Sequence, residues 1–467
     1  MNLGEPNPAP ETKSNGSTRR EFIGTAAAGV ALASAIAARS YAATDNTIQI
    51  ALIGCGGRGA GAALNAMNAK NAPVKLVAMA DVFPAKLQNA YNGITKQRKD
   101  QVDVPENRQF IGFDAYKKAM DCLRPGDIAI LTTPPAFRWP HFTYAIEKGL
   151  NVFMEKPIAV DAPSTRRMIA LADAAKQKNL KVGVGLMCRH CVVRQELLER
   201  IQDGAIGEIV AARSYRMHGP GGYFASKPKP QGISDLMYQV QRFHSFLWAS
   251  GGCFSDFYIH NIDEVCWAKG SWPVKAHGSG GRHYREDNVD QNFDTYTVEY
   301  TFADGAPFFY EGRCITGANP LMGVWLHGSK RAAKMSGSGH TPAGSCIFKD
   351  QDTSNTADLK WSWKKGTKEP NPYDREWVDL IDAIINNKPY NEVERGAMAS
   401  LVTAMGRKAS HICQVVTLED MLKDEHEFAP DVDKFAENSP APLKADADGK
   451  YPIPTPGMGR KEYSTEA

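Results

Sequence analysis

The chain has 467 residues, 43% of them apolar and 23% charged, and its 55 basic and 52 acidic side chains leave a formal charge of +3. That length allows two or three domains with a substantial core, and the composition excludes fibrous, collagen-like and wholly disordered classes. The balanced charge gives no electrostatic case for a nucleic-acid partner, and nine cysteines, an odd number, are too few for a disulfide scaffold.

The first sixteen residues are polar. Then come Ser17-Thr18-Arg19-Arg20-Glu21-Phe22-Ile23, a weakly apolar run to Ala38, Arg39, and the small-x-Ala pattern Ser40-Tyr41-Ala42. This order predicts a twin-arginine export signal over residues 1–42. The run is too short and too poor in Leu for a membrane span, and no later run is long enough to be one. Such a signal places the mature protein in the periplasm or otherwise outside the cytoplasm. It exports folded chains, so a bound cofactor can travel inside.

Ile48 to Ile53 is a short β-branched run that predicts a buried strand. It leads into Gly54-Cys55-Gly56-Gly57-Arg58-Gly59, a G-x-G-x-x-G, followed by an Ala/Leu/Met-rich helical stretch from Ala60 to Ala69. A second apolar run, Val74 to Ala80, ends in Asp81, 22 residues past Gly59. Strand, glycine loop, helix, strand and terminal acid together predict a dinucleotide-binding unit. Gly54 permits a tight turn, Gly56 and Gly57 let the backbone approach a pyrophosphate, and Gly59 lets helix and strand pack closely. Asp81 would hold the adenosine ribose hydroxyls and repel a 2′-phosphate, which favours NAD. Arg58 beside it leaves NADP possible. Further on, the run from Gly126 to Pro135 reads as a strand ending in a Thr-Pro turn and Asn151 to Met154 as the next strand, with a helix from His141 to Lys148 between them. A strand–helix–strand crossover is parallel, and functional residues sit at its strand C-termini, where Asp81, Thr133-Pro134 and Glu155-Lys156 all fall.

Past Val182 the pattern changes. Ile209 to Arg216 is strand-like, and over 294–302 Tyr296, Val298, Tyr300 and Phe302 alternate with polar residues. Asp304-Gly305 predicts a hairpin turn before a return strand from Pro307 to Ile315. A loop is expected over 327–370, helices over 374–386 and 397–415, and an extended, partly ordered tail over 429–467. Cys188-Arg189-His190-Cys191 is a lone CxxC without a second ligand pair, so no metal site is expected.

These motifs resemble the glucose–fructose oxidoreductase / inositol dehydrogenase (Gfo/Idh/MocA) family. The residues that carry the resemblance are Gly54–Gly59, Asp81, Thr133-Pro134, His141 and Glu155-Lys156-Pro157, with Val182-Gly183-Val184 leading to Arg189. The run Gly251-Gly252 through Asp256, Tyr258, His260 and Asp263 matches a second family signature. Tyr258 stands where the family has Gly, Arg138 where it has His, and Pro135 where it has Asn. The resemblance implies an α/β fold: a doubly wound parallel Rossmann domain over 46–182 and an α+β domain with a large, mostly antiparallel open sheet over 183–428. It implies an exported NAD(P)-dependent oxidoreductase that moves hydride between a retained nicotinamide and a sugar, sugar-acid or polyol hydroxyl. The alternatives are an NAD-dependent glycosidase working by transient oxidation and elimination, and a non-catalytic sugar- or cofactor-binding protein. The chemistry needs a base and a cation at the carbinol oxygen. Lys156, His260 and Asp256 are the catalytic candidates, the last two one helical turn apart. Arg189, His218, Tyr238, Arg242, His244 and Tyr258 are candidate substrate contacts, and a homo-oligomer, dimer or tetramer, is expected.

Overall fold

Continuous apolar runs without alternation are the mark of strands buried on both faces, and the first half of the chain supplies five strands dominated by them, with a sixth, half-exposed edge strand beside them. The computed structural model describes residues 46–463, apart from Tyr223, Glu286, Lys365, Gly366, Met458 and Arg460. The expected export signal lies outside the described residues. The six strands are β1 (Ile48–Ile53), β2 (Val74–Asp81), β3 (Gln109–Ile111), β4 (Ile128–Leu131), β5 (Asn151–Met154) and β6 (Val182–Val184). They form one parallel sheet in the order β3-β2-β1-β4-β5-β6. The strand order reverses between β1 and β4, which opens a crevice at their C-terminal ends. Helices α1 (Gly57–Asn68), α2 (Pro84–Arg98), α3 (Ala115–Met120), α4 (Arg138–Glu147) and α5 (Ala162–Gln177) make the crossovers. Helix α1 starts three residues before the alanine-rich run because the glycine loop itself takes the first helical turn.

After α6 (Val192–Gln202) the chain builds a nine-stranded sheet. Its strands are β7 (Ile209–His218), β8 (Lys275–Gly281), β9 (Thr295–Thr301), β10 (Pro307–Cys314), β11 (Leu321–Gly328), β12 (Ala332–Ser336), β13 (Cys346–Phe348), β14 (Leu359–Ser362) and β15 (Val416–Thr417). The order is β14-β13-β12-β11-β7-β10-β9-β8-β15, antiparallel except where β7 and β10 run parallel. Tyr296, Val298, Tyr300 and Phe302 are buried, as their alternation predicts, and Gly305 takes the turn at φ +85°. The stretch over 327–370 is not simply a loop: β12, β13 and β14 lie within it. They are only three to five residues long, and the Gly, Ser and Lys among them mask the alternation.

Between β7 and β8 come α7 (Asp235–Gln241), α8 (Leu247–Ser250) and α9 (Gly252–Lys269), the last packed against the buried face of the sheet. Helix α10 (Pro372–Ile385), although late in the chain, covers the first sheet. Its Trp377 stacks on Phe153 with ring centroids 4.4 Å apart, and its Asp374 accepts a hydrogen bond from Asn65 at 2.7 Å. Helix α11 (Val393–Ile412) and α12 (Leu418–Lys423) follow. Residues 429–463 are more firmly seated than an extended tail. Val432, Leu443, Tyr451 and Tyr463 are buried, and the buried Glu462 accepts hydrogen bonds from Arg407 at 2.8 and 2.9 Å and shares one with His411 at 2.8 Å. Anchors this widely spaced leave no periodic signal. No helix among the described residues is long and apolar enough to cross a membrane.

Candidate active site

The C-terminal ends of β1, β2, β4 and β5 open into a cavity of about 630 Å³ that is closed on the other side by α9, β7 and the segment carrying His340. One end is built by the glycine loop. Gly54 sits at φ +94°, and a Cβ there would stand 2.7 Å from the backbone of Thr132 and Thr133. A Cβ on Gly59 would stand 2.1 Å from the Gly54 carbonyl oxygen, whereas around Gly56 and Gly57 nothing lies within 4 Å. Two glycines are thus required by packing and two leave open space over the loop. Helix α1 has no side-chain cap and no acid in its first turn, so its N–H groups and partial positive charge remain available to an anion. At the end of β2, Asp81 accepts hydrogen bonds from Cys55 N–H at 2.6 Å and Phe83 N–H at 2.8 Å. Burial pushes its carboxyl above the usual value, against the pull of those N–H groups and of Lys86. These features fit a dinucleotide: an open cradle of backbone donors for the pyrophosphate and a fixed carboxylate for a ribose.

Thr133 and Pro134 line the middle of the cavity. Thr133 Oγ1 shares a hydrogen bond of 3.3 Å with His141 Nδ1. His141 is stacked on Tyr116, and burial, with Arg138 nearby, holds its imidazole down at about 3. It is neutral. Arg138, in the position noted as a departure, is fully buried and braces the end of β4 through the carbonyls of Leu131 at 2.6 Å and Thr133 at 2.9 Å. Burial lowers its guanidinium to about 10 against the opposing charges of Glu155 and Asp256.

The far end brings the three catalytic candidates together. Lys156 Nζ donates to the main-chain oxygen of Asp256 at 2.6 Å and stands 3.7 Å from its carboxylate. The other Asp256 oxygen is 3.5 Å from His244 Nε2. Burial would raise the Asp256 carboxyl, but Lys156, His244 and Arg216 outweigh it and hold it below the usual range. His260, one turn along α9, lines the same cavity. Burial first, and then the charges of Lys156 and Arg216, push its imidazole well below its ordinary value, and its Nδ1 is buried without a partner among the described residues. The Asp256 carboxylate therefore sits between Lys156 and His244, and among the described residues no side-chain hydrogen bond or ion pair joins it to His260.

Other expectations are corrected. Arg58 lines the cavity, but its guanidinium is engaged by protein groups. Its Nε donates to Glu155 at 2.7 Å and its guanidinium lies 4.6 Å over the Tyr373 ring. Glu155 thereby answers Arg58 rather than facing a cofactor alone. Arg189 forms a two-pronged pair with Asp263, both bonds 2.8 Å, outside the cavity. Tyr258 is fully buried among Phe254, Tyr296 and Tyr310: two residues on from Asp256, it points roughly 200° around the helix, into the core. His218 stacks behind Phe257, Tyr238 donates to the Lys227 carbonyl in a buried cluster, and Arg242 does not line the cavity, although its neighbours Phe243 and His244 do. The sequence reading missed Arg216, His340 and Tyr373, which all line it. Each stands alone in an ordinary strand, loop or helix, with no spacing to mark it.

Two family models match the chain. One, an oxidoreductase family with an NAD-binding Rossmann fold (GFO/IDH/MocA), matches residues 48–186, and the other, the GFO/IDH/MocA C-terminal domain, matches residues 194–334. Between them they cover more than half of the chain. The D-glucoside 3-dehydrogenase of Escherichia coli (strain K12) is 28% identical over 154 residues, 32% of this chain and 38% of that protein. The chain spans between 37% and 45% of the lengths of the curated relatives it matches. Among solved structures, the aldose-aldose oxidoreductase from Caulobacter crescentus complexed with glycerol superposes with a TM-score of 0.59 at 16% identity, covering 79% of this chain and 99% of that one. The scyllo-inositol dehydrogenase from Lactobacillus casei with bound NAD(H) and scyllo-inositol superposes at 0.57 and 20% identity, covering 80% and 99%. At these identities the structural likeness speaks for the fold.

Proposed function

The chain belongs to the Gfo/Idh/MocA oxidoreductase family, and from that premise we propose that it is an exported, NAD-dependent oxidoreductase acting on a secondary hydroxyl of a sugar, sugar acid or polyol. One observation carries the reading: Lys156 and His260 line the same cavity as the uncapped glycine loop and Asp81. The dinucleotide, when bound, supplies the acceptor for the hydrogen and electron pair leaving the carbinol carbon. The chain's residues do the rest. Gly54–Gly59 and the first turn of α1 hold the pyrophosphate, and Asp81 takes the ribose. The Lys156 ammonium has three donors and gives one to the Asp256 carbonyl. The others serve the carbinol oxygen, where negative charge grows as the proton leaves. His260, kept neutral by its surroundings, is the acceptor for that proton. Asp256 stays ionised and fixes Lys156.

The Arg19-Arg20 signal pattern supports export with cofactor already bound. Homo-oligomer formation is supported by Val210, Phe309 and Leu321, large apolar side chains of three neighbouring strands left 50%, 48% and 41% exposed. The activity test is direct: NAD-loaded protein is given neutral sugars, sugar acids and polyols, and cofactor absorbance is followed. Reduction by at least one of them is expected. Failure with all three classes, while NAD binds, overturns the reading.

A further inference from the structure

The substrate end of the cavity holds a guanidinium with no carboxylate of the described residues within 4.0 Å. Arg216 projects from β7 to line the cavity. Its Nη1 donates to the main-chain oxygen of Phe257 at 2.6 Å, and the guanidinium lies 5.2 Å over the Phe257 ring. Nε and Nη2, the edge that meets a carboxylate side-on, have no hydrogen-bond partner among the described residues, and no acidic oxygen among them comes within 4.0 Å. Of the other cations of the cavity wall, Arg58 is paired with Glu155, Arg138 donates to two carbonyls, Lys156 is held by Asp256, and Lys86 lies at the opposite, Asp81 end, over the Phe83 ring. Against Lys156 and Arg216 the substrate end sets one carboxylate, Asp256. His260 and His340 add no negative charge, and both are depressed by burial and by Arg216. A partly buried guanidinium in an apolar wall loses hydration that only an anion restores well.

We propose that this end of the cavity binds a carboxylate on Nε and Nη2 of Arg216, so that the substrate is a sugar acid rather than a neutral sugar or polyol. The proposal deepens the oxidoreductase reading and relies on it for the reacting hydroxyl. A planar carboxylate matches the free edge of one guanidinium two for two. A phosphate dianion calls for more donors than one such edge, and the remaining Lys156 donors are engaged by the reacting hydroxyl.

The test separates binding from turnover. D-gluconate and D-glucuronate, with D-glucose and myo-inositol as neutral counterparts and D-glucose 6-phosphate as the phosphate arm, are titrated by calorimetry into NAD-loaded protein, and kcat/KM is measured for each. The acids should bind on the order of 10–100-fold tighter than the neutral compounds, as a charge-assisted pair in a sheltered site predicts. In Arg216→Gln that preference should disappear, and Arg216→Lys should keep part of it. NAD titration and circular dichroism establish that the variants are folded. The proposal is overturned if neither acid binds, if neutral sugars bind as well, if the preference survives in Arg216→Gln, or if the phosphate binds tightest. Arg216-dependent binding of the acids with no cofactor reduction would keep the anion site and defeat the oxidoreductase reading. Reduction by neutral sugars with no acid preference would do the reverse.

Discussion

Lys156 joins the two halves of the site, since it leaves the end of β5 and is held by the carbonyl of Asp256 on α9. Replacing it with Ala removes the cation at the carbinol oxygen but none of the pyrophosphate cradle. Lys156→Ala is therefore expected to lower kcat by on the order of 100–1,000-fold, with NAD affinity largely kept, as steady-state rates and calorimetry will read. His260 gives a prediction with a definite sign. Its imidazole is held well below the ordinary value, first by burial and then by Lys156 and Arg216, so at neutral pH it is already a free base. The acid limb of kcat/KM in the pH profile should lie below pH 6.5, and His260→Ala should recover part of its rate at high pH, where hydroxide replaces a base. A wild-type limb centred at or above 6.5 would show that His260 is not the base. Asp81 keeps its carboxylate at the ribose end, tied to two backbone N–H groups. The stripped protein should bind NAD more tightly than NADP, and a calorimetric preference for NADP would contradict the role given to Asp81.

Among elements, the seating of α10 and of the start of α11 beside the end of β6 involves His190, which lies between β6 and α6. Its Nδ1 is 2.7 Å from Asp379 of α10 and its Nε2 3.3 Å from Glu392, which precedes α11. Burial pulls the imidazole down, but the bonds to the two carboxylates outweigh it and push it up to about 9. A histidine raised this way contributes stability that is fully present below the unfolded value near 6.5 and is lost as pH rises through 9. The shift sets an upper bound of roughly 3 kcal/mol. Thermal melts should show wild type losing more stability than His190→Asn between pH 6.5 and 9.5, with the variant already weakened at pH 6. Equal pH dependence would mean the pair does not clamp the elements.

On the scale of the whole molecule, the C-terminal segment is part of the fold rather than an appendage. Glu462 is buried between Arg407 and His411 and is held below the usual carboxyl range, burial notwithstanding, chiefly by Arg407. If residues 1–42 are a twin-arginine signal, replacing both Arg19 and Arg20 with Lys should leave the precursor inside the cell, read by fractionation and immunoblot. Normal export of that double variant would remove the argument for a retained cofactor.

The sequence by itself determined the central strands β1, β2, β4 and β5 of the first sheet and its cradle, but not the short edge strand β3, whose Gln-Phe-Ile carries no apolar run. Buried parallel strands are short apolar runs, and the loop glycines are required by the backbone contacts at Gly54 and Gly59, so both are written locally. Lys156, Asp256 and His260 are singled out by the resemblance of their motifs to the family, while the strand end and the one-turn spacing alone fit an ordinary structural pair as well. The tertiary structure alone decided which side chains share the cavity. Tyr258 is two residues from Asp256 yet faces the core, because helical rotation turns it away. Arg189 and His218 stand near the site in the chain but behind it in space. Arg216, His340 and Tyr373 reach the cavity from a strand, a loop and a late helix that come together only when the two sheets pack. A side chain's partner across such a junction is set by the packing of distant elements, and no window of neighbouring residues contains that information.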